Sequence, residues 1–378
     1  MIGSERRWFA PLLFTRAVRG LAYGSLGVVV GIVLARDGFS TFQVGALLSL
    51  TLATGAAFSL SAAAIARRIG EQPALIAGCA LMAIAGALFA SGISAPLVTA
   101  AFALGTLTAG GQDVGPFAPL EQAIIGSRMA RISSDRYALY NTAGVLCGAL
   151  GAALVAVVPV TAVLWFYAAA SLLMCGAYAL LPGVPAAPAV STVPAPRFGA
   201  IEQLAALFAV DALAGGFVVQ AVVAYWFHLR FGTPLAALGP LLAGANLLSA
   251  LSFFAAAKLS KRFGLLNTMV FTHLPSNVLL LLVPFMPSFA WAAAVLLGRF
   301  ALSQMDVPTR QAYVMAAAPA HDRARAASLT NAVRPAAAAI APLIAGAAMQ
   351  TAAFGAPFII AGAMKIAYDV TLYFRFRE

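Results

Sequence analysis

Apolar runs close to 20 residues long recur from one end of the chain to the other, and few charges interrupt them. That is the length an α-helix needs to cross a hydrocarbon core roughly 30 Å thick. Inside such a core every backbone N–H and C=O must find its partner within the protein, so a spanning segment is either a helix or a strand of a closed barrel. Alternating strands of about ten residues are absent, which argues against a barrel. A soluble domain would carry about 25% charged residues; this one carries 9%, with 62% hydrophobic residues and a mean hydropathy of +0.93. The expected fold class is an all-α polytopic membrane protein.

Runs and punctuation predict twelve spans, near residues 10–35, 41–64, 73–91, 97–126, 137–158, 161–181, 201–228, 235–257, 265–285, 288–317, 326–348 and 356–374. The formal charge of +11 sits in short loops between these runs, with no basic face interleaved with aromatics, so no nucleic-acid partner is expected. The positive-inside rule explains it instead. With the N-terminus inside, fifteen lysines and arginines fall on the inner side, and only Arg36 and Arg230 on the outer. Both termini are thus expected in the cytoplasm of a bacterial-type inner membrane. No cleavable signal peptide is expected, since Arg16 and Arg19 break the first apolar run. Five prolines in "PGVPAAPAVSTVPAP", from Pro182, prevent regular structure and suggest an extended spacer. The expected domains are residues 1–181, a cytoplasmic linker over 182–200, and residues 201–378. Cys79, Cys147 and Cys175 have neither disulfide nor metal spacing and are expected as small core residues.

The two halves repeat. "ARRIG" ends at Gly70 and "SKRFG" at Gly264, an offset of 194. Arg36 with Arg230, Gly45 with Gly239 and Arg68 with Arg262 share that offset; Asp113-Val114 and Asp306-Val307 follow at 193, and Asn141 and Asn331 at 190. Parallel six-helix halves related by an axis along the membrane normal are a transporter architecture. With the basic glycine turn repeated after spans two and eight, the whole chain resembles the major facilitator superfamily. The resemblance implies two pseudo-symmetric six-helix bundles, alternating access, and a central cavity lined by spans 1, 4, 7 and 10. The family's loop pattern G-x-x-x-D-x-x-G-R-[RK] is altered here. Ala63, Arg67 and Glu71 stand where Gly, Asp and Arg are usual, and the second copy has Ala257, Lys261 and Leu265. A gating charge network tied to that Asp must differ in this chain.

Charges at membrane depth are costly and face a cavity or a partner. Arg16, Arg19 and Tyr23 share one face of span one. If span four is a continuous kinked helix, Asp113 lies about 25 Å from Pro96 and about 21 Å from Ser127, near mid-depth. Depth then pairs Arg19 with Asp113 and Arg16 with Glu121. Span seven carries Asp211, span ten Arg299, Asp306 and Arg310, and span eleven Arg334; the last three with Asp211 fall at similar depth and suggest a network, with Asp306 and Arg310 paired at i, i+4. Arg19, Asp113, Asp211, Asp306 and Arg310 are the expected substrate and proton-coupling residues. Arg16, Tyr23, Glu121, Arg299, Arg334, Asn141 and Asn331 are secondary cavity or gate candidates. Lys365 and Asp369 are expected as an intrahelical pair, His273 as a packed histidine, and Tyr225, Trp226, Tyr368 and Tyr373 as interfacial aromatics.

The chain has no G-x-x-x-x-G-K-[ST], no nucleophile motif, and three histidines (His228, His273 and His321) without zinc spacing. No enzymatic activity, metal or cofactor is expected. The expected partners are a small-molecule solute, protons and the lipid bilayer, for a monomer coupled to protons. The Gly-Pro pattern that the resemblance leads one to look for in span five of an antiporter is missing from "NTAGVLCGALGAAL", and only a looser version, "APLIAG", stands in span eleven, so efflux and uptake both stay open, with export slightly favoured; a small excess of buried arginine favours an anionic substrate, and proton-coupled uptake of an anionic metabolite or chelate is the alternative. A non-transporting receptor or scaffold is the rival from another class.

Overall fold

The computed structural model describes residues 2–92, 94–110, 115–128, 133–181, 199–317, 323–351 and 353–377. The proline-rich spacer and Asp113 lie outside the described residues. Among those described the regular structure is helical, with no strand. Nine helical segments there are long and apolar enough to cross a membrane. Their outer faces stay apolar: Leu60, Leu172, Leu251 and Phe254 are all exposed, as lipid contact requires.

The chain divides into two compact units. Unit 1 comprises Met1–Phe39, Leu47–Val190 and Pro234–Ala243. It contains α1 (Ile2–Arg36), most of α2 (Thr41–Ile69), α3 (Glu71–Ser91), α4 (Ala95–Ala103), α5 (Phe117–Arg128), α6 (Ser133–Leu154) and α7 (Val160–Ala179). Unit 2 comprises Ser40–Ala46, Ser191–Thr233 and Gly244–Glu378. It contains α8 (Ala200–Gly216), α9 (Gln220–Phe231), most of α10 (Leu235–Phe263), α11 (Leu265–Leu282), α12 (Phe289–Ser303), α13 (Asp306–Ala317), α14 (Arg323–Ala338), α15 (Ala341–Gln350) and α16 (Ala356–Phe376).

Four predicted spans are broken rather than continuous. Span four stops at Ala103 and resumes at Phe117, where the sequence predicts a kinked helix over 97–126. Gly105 and Gly115 adopt φ of +66° and +79°, a region open to glycine and not to a helix. The carbonyls released by the break are taken by hydroxyls: Thr51 Oγ1 donates to Leu107 O at 2.6 Å, Ser59 Oγ to Gly115 O at 2.6 Å, and Tyr167 OH to Thr106 O. That is the condition for irregular backbone at membrane depth. The mid-depth estimate for Asp113 assumes unbroken helix and does not apply across this segment. Span seven breaks at Phe217–Val219, span ten at Gln304–Met305 and span eleven at Ala339–Ile340. In span ten the break precedes Pro308, which then occupies the first turn of α13, where a proline costs no hydrogen bond.

Glycines set the closest helix contact of unit 1. A Cβ on Gly24 would lie 2.7–2.8 Å from the backbone of Gly148, and one on Gly20 would lie 2.7 Å from Gly144 O. Gly151 meets the backbone of Leu21 in the same way. α1 and α6 therefore touch backbone to backbone, the small-residue packing that membrane helices use in place of a hydrophobic driving force. Gly24→Ala is expected to cost about 1–3 kcal/mol through overpacking, read as a lower melting temperature in detergent. Gly176→Ala, where a Cβ meets nothing within 4 Å, is the matched control and should leave melting unchanged.

The aromatic belt expected near spans seven and twelve is corrected. Trp226 is fully buried, packed on Phe227, Phe231, Phe354 and Phe358, with its indole N–H donated to Phe354 O at 2.9 Å. Tyr225 and Tyr368 are buried as well. Aromatic neighbours from α9, from the loop before α16 and from α16 itself surround the indole, and no single-sequence pattern announces that.

Candidate functional site

Among its described residues, unit 1 holds a fully buried ion pair. Arg19, on α1, closes as a fork on Glu121 of α5, with Nη2–Oε2 at 2.5 Å and Nη1–Oε1 at 3.2 Å. Thr15 Oγ1 donates to Oε1 at 2.7 Å, Tyr178 OH to Oε1 at 2.6 Å, and Tyr140 OH to Oε2. The guanidinium also donates to the two phenol oxygens at 3.1 Å each and stands 5.0 Å over the Phe117 ring. Both charges are 0% exposed. Two desolvated charges persist only when their remaining hydrogen-bonding capacity is met, and here five donors converge on one carboxylate.

This geometry departs from the depth pairing read in the sequence, which joins Arg19 to Asp113 and Arg16 to Glu121. The break in span four changes the rise of the chain and brings Glu121 level with Arg19. Arg16 lies 4.9 Å over the Tyr140 ring, its guanidinium against Gly144. Tyr23 is buried and stacked on Tyr167 at 5.9 Å. Asn141 is exposed, and the Asn331 side chain lies outside the described residues.

Unit 2 holds a larger network centred on Asp211 of α8. Lys365 Nζ of α16 lies 2.5 Å from Oδ1; Arg334 of α14 and Arg310 of α13 lie 3.0 and 3.3 Å from Oδ2. Arg310 also holds Asp306 at 2.5 Å, one turn back on α13. Asp306 stands in the first turn of α13, where the helix dipole favours a carboxylate. On the far side of Asp211, His273 of α11 places Nε2 4.0 Å from Oδ1 and Nδ1 2.9 Å from Asp369 Oδ1. Asn277 Nδ2 donates to Asp369 Oδ2 at 2.8 Å. The structure thus brings together Asp211, Asp306, Arg310 and Arg334, the four residues grouped by depth.

Lys365 and Asp369 do not close on each other as an i, i+4 pair. Lys365 reaches across to α8, and Asp369 turns to α11. Each finds its partner on a neighbouring helix instead. His273, expected as packing, sits between two carboxylates. A signal for this was present: "HLPSN" and "KIAYD" each place two polar residues at i, i+4 on spans nine and twelve, and two such faces satisfy one another. Tyr140 and Tyr178 left no comparable signal.

Arg299 of α12 completes unit 2. It is 7% exposed and stands 4.8 Å over the Phe300 ring, and its Nε has no hydrogen-bond partner. Ser303 Oγ, one turn further along the same helix, is buried and likewise unpartnered. With Arg310, Arg334 and Lys365, this makes four cations against the three carboxylates Asp211, Asp306 and Asp369.

Comparison with known proteins bears on the fold and the family. The family profile described as the Major Facilitator Superfamily matches residues 12–305. An uncharacterised membrane protein of Saccharomyces cerevisiae, YJR124C, is 22% identical over 406 aligned positions, covering 94% of this chain and 91% of its own. Among solved structures, the nucleoside transporter NupG superposes with a TM-score of 0.76 at 12% identity, covering 98% of this chain and 99% of its own. The human organic anion transporter MFSD10 superposes with a TM-score of 0.66 at 16% identity, covering 97% and 99%. These likenesses show a shared fold.

Proposed function

The chain belongs to the Major Facilitator Superfamily, and from that premise we propose that it is a secondary active transporter of a small organic solute. It works by alternating access of two six-helix halves in a bacterial-type inner membrane, as a monomer with both termini in the cytoplasm. Transport is coupled to protons and runs as export. One observation carries the reading: among the described residues of unit 2 four cations gather on three buried carboxylates, three of them buried and Arg334 27% exposed, and Arg299 is the buried cation left without a hydrogen bond at Nε. A network built only to hold helices together gains nothing from an unbalanced buried charge, which is costly. A binding site for an anionic group does, because the ligand supplies the missing charge. The organic-anion specificity in the name of MFSD10 agrees with that substrate class.

The same surplus favours a second reading, uptake of an anionic metabolite together with protons. A screen of organic solutes in inverted vesicles, with and without an imposed proton gradient, separates the two by the direction of net movement. Accumulation inside inverted vesicles, dependent on an acidic lumen, is the result expected for export. Flux that is absent for every solute in reconstituted vesicles would point to the receptor or scaffold class instead. Asp306→Asn, and Asp113→Asn outside the described residues, are expected to abolish proton-dependent flux while the protein still inserts. Wild-type rates and pH dependence in both variants would remove these residues from the coupling.

A further inference from the structure

We propose that a cavity at one end of unit 2 binds the phosphate headgroup of an anionic membrane phospholipid, held by Arg230. No step of the transport cycle enters, and every wall of the cavity belongs to unit 2.

Three spanning segments meet there. Ile201–Phe231 and Leu265–Phe285 end at this level, and Ala356–Phe376 begins at it. Between them lies a cavity of about 410 Å³, walled by Trp226, Leu229 and Arg230 of α9, by Pro284 after α11, and by Phe354 and Gly355 before α16. That volume is in the range of sites built for small ligands. α11 starts just after the basic turn of Lys261, Arg262 and Gly264 and runs away from it, so the cavity stands at the opposite membrane surface. With the termini inside, as proposed above, this is the outer leaflet at the level of its headgroups. The walls are formed before anything binds. Trp226 is fully buried among phenylalanines. Gly355 lets its loop close on Pro284, since an added Cβ there would stand 2.8 Å from Pro284 Cβ.

The polar capacity of these walls is narrow. The indole N–H is already donated to Phe354 O, and the Leu229 and Pro284 side chains offer no donor. Arg230 is the charged group. It is exposed in the last turn of α9, with its guanidinium 5.6 Å from the centre of the Phe231 ring. Among the described residues no carboxylate pairs with it. The internal repeat sharpens the point. Arg36, 194 positions earlier, stands in "ARDG" with Asp37 beside it, whereas Arg230 stands in "LRFG" with Phe231 in the place of the acid. Both helices end on a left-handed glycine, Gly38 and Gly232. The second copy thus presents the cation without the neighbouring acid, on the wall of a cavity. A guanidinium takes phosphate as a two-pronged fork. The rim assigns that phosphate to a lipid: Leu229 lines the cavity, Phe285 follows Pro284, and both are exposed, which gives an acyl chain a surface to lie on. A water-soluble anion gains nothing from such a rim.

The test uses full-length protein in mild detergent, titrated with phosphatidylglycerol, phosphatidylcholine or glycerol 3-phosphate. Native mass spectrometry counts the lipid retained, and melting temperature reports its effect. Anionic lipid also gathers at the basic turns of the other surface, so variants are compared by difference. Wild type should retain phosphatidylglycerol over phosphatidylcholine. Arg230→Gln should weaken the binding of one lipid by about fivefold, the worth of one basic residue against an anionic headgroup. Leu229→Trp, which fills the cavity and keeps the arginine, should displace the same lipid. Arg36→Gln, the counterpart in the first half, should leave the count unchanged. Equal retention by wild type, Arg230→Gln and Leu229→Trp overturns the assignment. Saturation of the site by glycerol 3-phosphate overturns it too, and would give the cavity to soluble anions. If Leu229→Trp does not fold, Arg230→Gln decides alone, because its side chain is exposed at a helix end. Flux is not read, so a failure of the transport reading leaves this test standing.

Discussion

Arg19→Met is expected to cost the folded protein about 3–5 kcal/mol, because it leaves the Glu121 carboxylate buried without a counter-charge. The measurement is thermal or denaturant unfolding of the purified protein in detergent. Tyr140, Tyr178 and Thr15 would still donate to the carboxylate, but three neutral donors do not replace a guanidinium fork. The double variant Arg19→Met with Glu121→Leu should recover most of the loss, since it removes both charges and fills the space with apolar atoms. That recovery would identify the pair as a lock on α1 and α5. Failure to recover would mean that the geometry of the phenols, more than the charge, holds this part of unit 1.

Asp211→Asn is expected to have the larger effect on transport. Three cations lie within 3.3 Å of its oxygens, and an amide leaves them to repel one another. We expect loss of measurable solute flux and a destabilisation of about 3–5 kcal/mol, the range for a buried pair broken from one side. Adding Lys365→Met to Asp211→Asn restores the charge balance of the cluster and should return a good part of the stability. Flux should stay absent in that double variant, which separates the structural role of the carboxylate from its place in the cycle.

Much of this was legible in the sequence, for reasons that differ by residue. Helices ended by charged or glycine turns are read closely: a span expected over 41–64 is found as Thr41–Ile69, and one over 356–374 as Ala356–Phe376. The breaks in spans seven and eleven were not read, because the segments stay apolar through them and hydropathy does not register a change of backbone direction. Gly215-Gly216 was the available hint. In the site, Asp211, Arg310 and Arg334 could be grouped by depth, since depth follows from counting along a helix. Lys365 and His273 could not be placed that way: their role depends on the rotation of α16 and α11 about their axes, which only packing fixes. The pairing of Arg19 with Glu121 was not read for a related reason, since counting 1.5 Å per residue fails where the helix stops.

The glycine seam between α1 and α6 has a mechanical meaning. Helices in contact through backbone cannot slide past each other without forcing carbonyls into Cα atoms, so the two behave as one rigid body. Shape change in unit 1 is thereby confined to other places, and the residues 104–110 offer the natural hinge. Their carbonyls are held by separate hydroxyls from Thr51 and Tyr167, each worth about 0.5–1.5 kcal/mol. Bonds of that size can be exchanged one at a time, so the segment can bend while the seam stays shut.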